Sequence, residues 1–214
     1  MRRLFATACC HRVVHVISNE RIHRIVEMSE AYADGTKSAV DLDYECLVAD
    51  GARRWEGPVG DAQRSVLEAL ERLRSNNFSA RWVSIRTAEA VGQIAFGKLD
   101  EQTAWRPANR HGRAYGDVVA EKARVEEHKQ QAALLRCIFG NPFRPVALDP
   151  AWRTEAVVGL AAGIYADRAF DRLPVLADAL EDAGCADADV LGHCRGPGPH
   201  ARGCWVVDLL LGKT

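Results

Sequence analysis

The stretch Asp171-Arg-Leu-Pro-Val-Leu-Ala-Asp-Ala-Leu-Glu-Asp-Ala-Gly184 decides the fold class. Leu173, Leu176, Ala177 and Leu180 recur at three- and four-residue steps, the period of a helix with one buried face. Asp171 is placed as a cap, and Pro174 lies just inside the start, where a missing N–H costs nothing. Gly184 stands just past the end, where a left-handed backbone stops a helix. The same pattern extends in both directions. Upstream, residues 154–168 carry Val157, Leu160, Ala161, Ile164 and Tyr165 at helical spacing. Downstream, Asp187 opens a short helix through Val190 and Leu191 that Gly196 ends, and residues 204–211 read either as a helix or as a buried strand.

Helical spacing also dominates the first half. Residues 3–17 place Leu4, Phe5, Ala8, Cys9, Val13 and Val16 on nearby turns. Ser18 or Asn19 can cap a second helix with Ile22, Ile25, Val26 and Tyr32, and Gly35 can end it. A weaker helix covers 38–54. Residues 61–75 give a clearer one, with Asp61 as cap and Val66, Leu67, Leu70 and Leu73 as its stripe. Another spans 80–96 with Trp82, Ile85, Val91, Ile94 and Phe96. Residues 97–116 read as a polar connection, because Gly97, Pro107, Asn109, Gly112 and Gly116 discourage regular structure. A charged helix over 117–139 follows. Gly140-Asn-Pro-Phe-Arg-Pro145 must break it, since each proline fixes its own backbone and holds the preceding residue extended. Phe143 and Trp152 are expected to pin this strap to the core.

The expected architecture is therefore all-α, an irregular bundle of about eight helices with a proline-rich strap before a C-terminal helical subdomain. The organisation is a helical region over 1–134 followed by strap and subdomain over 135–214, or one continuous domain.

The chain has 214 residues, enough to bury a core, and its net charge of -1 argues against general attraction to nucleic acid or membrane surfaces. A local excess remains. Arg2, Arg3, Arg12, Arg21 and Arg24 face only Glu20, beside His11, His15 and His23, and form a candidate phosphate-binding surface for nucleic acid. An ordinary solvated helix face is the alternative. No apolar run is long enough to span a membrane, and the longest at the C-terminus is broken by Asp208. His11 and Arg12 interrupt the run that superficially resembles a signal peptide. Seven cysteines, an odd number in helical segments, suit thiols or a metal in a reducing compartment better than a disulfide framework, so the expected location is cytoplasmic.

Chemistry concentrates near the C-terminus. Cys185, Cys194, His200 and Cys204, with His193 as an alternative to Cys185, flank the turn Gly196-Pro-Gly-Pro199. Zinc takes four thiolate or imidazole ligands tetrahedrally, and a Gly-Pro loop between ligands can wrap around the ion. The competing reading makes these cysteines small buried hydrophobes. Cys9-Cys10-His11 could pair a thiolate with an imidazole beside Arg12, although no oxyanion donor is visible. Asp178, Glu181, Asp182, Asp187 and Asp189 offer carboxylates for a cation, or simply a wet face. The Gly-Pro loop fails as a phosphate cradle because proline lacks the N–H donor. No Walker, His-Glu-x-x-His or Gly-x-Ser-x-Gly string is present.

Four strings resemble a family of uncharacterised planctomycete proteins: Leu4-Phe-Ala-Thr-Ala-Cys-Cys-His-Arg12, Ile138-Phe-Gly-Asn-Pro-Phe-Arg-Pro-Val146, Leu148-Asp-Pro-Ala-Trp152 and Arg195-Gly-Pro-Gly-Pro-His-Ala-Arg-Gly-Cys-Trp-Val-Val-Asp-Leu-Leu-Leu-Gly-Lys213. The similarity covers roughly residues 1–35 and nearly everything after 134, while 40–130 match poorly. It implies no activity, cofactor or catalytic residue. The functional expectation is a non-enzymatic helical interaction or scaffold protein with a protein partner. The alternatives are a zinc-stabilised protein using the C-terminal cluster, and a nucleic-acid-binding accessory protein using the N-terminal arginines.

Overall fold

The computed structural model describes residues 2–15, 17, 20–50, 62, 65, 66, 68, 69, 80–102 and 110–213. Every regular element among them is helical: α1 Arg2–Val14, α2 Glu20–Ala33, α3 Ala39–Asp50, α4 Ala80–Gln102, α5 Arg110–Phe139, α6 Glu155–Asp167, α7 Leu173–Asp182, α8 Ala188–Arg195 and α9 Trp205–Leu211. The protein is all-α over these residues. Two short 3-10 turns, Pro150–Trp152 and Phe170–Arg172, precede α6 and α7.

The chain divides into two compact units, Arg2–Gln131 and Ala132–Thr214. In the first, α1 packs against α2 and α4, and α2 against α3. Its core is built from the stripes their spacing promised, including Val13, Ile22, Ile25, Val26, Leu42 and Val83. A buried polar seam crosses this core. Arg12 donates to Glu127 from Nε at 2.9 and 3.0 Å and from Nη2 at 3.0 Å. Gln131 Nε2 donates to Thr87 Oγ1 at 3.0 Å and to the Ser84 carbonyl at 3.1 Å. Burial of Glu127 is tolerable because the guanidinium fork satisfies both its oxygens.

The second unit contains the end of α5 and helices α6 to α9. Helix α6 packs against α7 and α9, and α8 against α7 and α9. Val157, Ile164, Leu173, Leu176, Leu180 and Val207 form its centre. Gly184 ends α7 as expected, at φ 85°, with its N–H donating to the Glu181 carbonyl at 2.8 Å. The Cys185 N–H reaches the Leu180 carbonyl at 2.8 Å, completing a Schellman motif. Asp187 caps α8 by accepting from the Asp189 and Val190 amides at 2.9 and 3.0 Å.

Several expectations are corrected. The connection expected over 97–116 is helical at both ends, since α4 runs to Gln102 and α5 begins at Arg110. Glycine lowers helix propensity by only about 1 kcal/mol, which a long helix absorbs at Gly97, Gly112 and Gly116. Asp171 lies within the 3-10 turn, and Arg172 occupies the α7 cap position with no side-chain cap bond. Trp152 does pack against the C-terminal core, but Phe143 is 91% exposed. An Asx turn, in which the Phe143 amide donates to Asn141 Oδ1 at 3.0 Å, holds that segment instead. The helix expected over 61–75, together with Val16, Ser18 and Asn19, falls largely outside the described residues. Of residues 204–211, whose spacing allows a helix or a buried strand, Trp205–Leu211 form α9 and Cys204 precedes its first turn.

Candidate metal centre

Four side chains of the C-terminal unit converge: Cys137, His193, His200 and Cys204, with one donor atom from each all within 4.8 Å of one another. Each comes from a different local context. Cys137 faces inward near the end of α5, beside the buried Leu134 and Ile138. Gly140 ends that helix at φ 62°, and a Cβ there would lie 3.3 Å from the Trp205 indole, so glycine permits close packing of the two segments. His193 lies on α8 one turn beyond the buried Val190. His200 follows the Gly-Pro loop, and Cys204 is the residue from which α9 begins.

The loop is fastened from outside. Arg202 donates from Nε to the Tyr165 carbonyl at 3.1 Å and from Nη2 to the Ala166 carbonyl at 2.8 Å, at the end of α6. Gly198, at φ 79°, sits so tightly under His200 that a Cβ would come within 3.0 Å of the imidazole Cδ2.

The distances suit a tetrahedral ion. Zn–S and Zn–N bonds put neighbouring donors roughly 3.3–3.8 Å apart on the edges of a tetrahedron. His193 Nε2 lies 3.2 Å from Cys204 Sγ, and His200 Nδ1 lies 3.5 Å from Cys137 Sγ. The outer contacts suit it as well. His200 Nε2 is 3.3 Å from the Gly196 carbonyl, the bond that protonates Nε2 and frees Nδ1 as a ligand. The two imidazoles stand edge to face, with centroids 4.9 Å apart at 83°.

The electrostatics of the thiols agree. Cys137 is pushed far up, first by its hydrogen bond with Cys204 and then by burial, while the Ala201 backbone amide pulls it the other way. Cys204 is held well below the ordinary thiol range, first by that same bond with Cys137 and further by His193 and His200. Burial works to lower His200, but its bonds to Cys204 and the Gly196 carbonyl outweigh this and raise it. A divalent cation held here would make both sulfurs thiolates.

Of the residues expected to ligate, the structure brings His200 and Cys204 into this group. Cys185 and Cys194 lie outside it, in the hydrophobic core of the unit. Burial pushes Cys194 up to about 12 and raises Cys185 as well, as expected of inert core thiols. Sequence spacing does not single out Cys137, and it offers His193 only as the alternative fourth ligand. Cys137 lies far from the other three in the chain and occupies an apolar stripe position, so its spacing carried no metal signal.

The remaining candidates separate. Arg12 is engaged by Glu127, and Arg3 stacks 4.9 Å over the Tyr32 ring, while Arg2, Arg21 and Arg24 are exposed. The five therefore do not present one uniform basic stripe. Burial raises the thiols of both Cys9 and Cys10, Cys10 to about 12, and His11 lies 3.5 Å from Glu30, so no activated nucleophile forms there. Asp178 and Glu181 are bound by Arg195, at 2.9 and 3.0 Å, and Asp189 lies 3.4 Å from Arg144. These carboxylates belong to a wet, ion-paired face. No described helix is long and apolar enough to cross a membrane.

Comparison with known proteins finds no matching family model, no matching curated protein and no matching solved structure.

Proposed function

We propose that the C-terminal unit is a zinc-stabilised helical clasp, in which Cys137, His193, His200 and Cys204 hold one ion and staple α5, α8 and α9 together. The convergence of four donors within 4.8 Å carries this reading. Two thiolates and two imidazoles are the borderline-soft set that favours zinc, and four protein ligands leave no open position for a substrate. The role is structural. With all four positions of the ion filled by protein side chains, the site offers no place for turnover on a substrate. Elemental analysis of protein purified without chelator should find about one zinc per chain, retained in Cys194→Ala and lost in His200→Ala. Less than about a tenth of an equivalent in the parent protein overturns the reading.

A protein-interaction role has one observation in its favour. Phe143 is 91% exposed beside a cavity of about 540 Å³ lined by His193, Trp205 and Gly192. Phe143 itself lines that cavity, so a second copy related by two-fold symmetry would bury two such rings at once. Phe143→Glu should then convert a dimer to a monomer with its zinc intact. A parent protein monomeric at about 100 μM removes this role.

A further inference from the structure

We propose that the centre is redox-responsive: a hydroperoxide converts the Cys137 and Cys204 thiolates to a disulfide and expels the metal. This deepens the zinc reading and rests on it. The two sulfurs belong to one group of donors spanning no more than 4.8 Å, and they come from different segments, the end of α5 and the start of α9. No other pair of described cysteines in the unit falls in such a group. Cys185 and Cys194 are core thiols outside that group of donors.

Access to the centre is selective. Both sulfurs are buried, at 2% and 0% exposure, whereas each imidazole borders a cavity. His193 lines the one of about 540 Å³, and His200 lines a second of about 240 Å³ together with Gly198 and Pro199. With both cysteines buried, a small hydroperoxide needs less opening of the unit to reach the sulfurs than a bulky disulfide does. The class of oxidant that fits is therefore hydrogen peroxide or a small organic hydroperoxide, not glutathione disulfide.

The chemistry balances. One thiolate attacks the terminal peroxide oxygen; an S–O bond forms, the O–O bond breaks, and hydroxide from hydrogen peroxide (alkoxide from an organic hydroperoxide) leaves, giving a sulfenic acid. The second thiolate attacks that sulfur; the S–S bond forms and a second hydroxide leaves. The sulfurs lose two electrons to the peroxide, and each hydroxide takes a proton from solvent to become water. The disulfide no longer offers anionic ligands, and two imidazoles alone hold zinc weakly, so the ion departs. A dithiol reductant with added zinc reverses the sequence.

The test treats zinc-loaded protein with hydrogen peroxide, follows free zinc with a chromophoric chelator, and maps thiols by mass spectrometry. One zinc should leave for every two thiols lost, with a Cys137–Cys204 disulfide and recovery by dithiothreitol plus zinc. Cys185→Ala and Cys194→Ala should behave identically, and glutathione disulfide should release at least tenfold less zinc. Three results overturn the proposal: a zinc-loaded centre inert to peroxide, release accompanied only by sulfinic acid, or a disulfide through Cys194. Protein that never holds zinc overturns both this proposal and the reading beneath it, whereas the other three outcomes leave the structural zinc site standing.

Discussion

Replacing Gly198 with alanine would put a methyl carbon 3.0 Å from His200 Cδ2 and 3.1 Å from the His200 amide, on a backbone already at φ 79°. The ring must then turn away, and the Nδ1 donor turns with it. Gly198→Ala should weaken zinc binding by about tenfold or more in a competition titration, the usual cost of disturbing a ligand's support. Gly192→Ala is the control, because nothing lies within 4 Å of a Cβ there; an equal effect from both would show that the loop does not position His200. Proton release belongs to this scale too. The Cys137 thiol is pushed up, so the metal must displace its proton; affinity should rise with pH and fall in acid, about tenfold per unit for each proton released. His193 was partly legible in the sequence, since helical spacing puts it one turn beyond Val190. Cys137 was not: a cysteine between Leu134 and Ile138 looks the same whether it packs or ligates.

Within elements, the punctuation marks were readable because each acts locally. Gly184, Asp187, Gly196 and the Gly140 break all stand where helices begin or end, for reasons contained in a few residues. What local rules misplaced were the segments governed by length or long-range pairing, such as the ends of α4 and α5 and the orientation of Phe143. The polar seam was equally invisible, because Arg12 and Glu127 are far apart in the chain and each looks like a surface charge on its own helix. Glu127 is 4% exposed and its side chain is bound by the Arg12 fork. Glu127→Ala leaves that guanidinium in a part-buried place without its carboxylate, and should destabilise the N-terminal unit by about 3 kcal/mol. The double variant Arg12→Met/Glu127→Leu should recover much of that loss, because an apolar pair fills the space without a charge to desolvate. Urea denaturation followed by circular dichroism measures both. A single variant within about 0.5 kcal/mol of the parent would reduce the seam to a surface ion pair.

For the molecule as a whole, the two units face different problems of scale. Residues 2–131 include the long helix α4, whose Val83, Ala90 and Ile94 join residues of α1, α2 and α3 in one apolar core. The C-terminal unit spends its residues on short helices, of which α8 and α9 are only eight and seven residues long. Helices that short are marginal by themselves, and a small unit that cannot enlarge its core commonly relies on a metal staple. A metal bound only by the folded form stabilises it by mass action, which on the zinc reading would tie the unit's stability to free zinc. Hydrogen exchange with and without a strong chelator tests this in the intact chain. Removal of zinc should raise exchange throughout α6 to α9 and in the last turns of α5, while amides of α1 and α2 stay protected. Readdition of about one equivalent should restore the original pattern. Unchanged protection of α8 and α9 after complete zinc removal would mean that Leu176, Leu180, Val190 and Val207 hold the unit without help, and that the ion adds nothing to the fold.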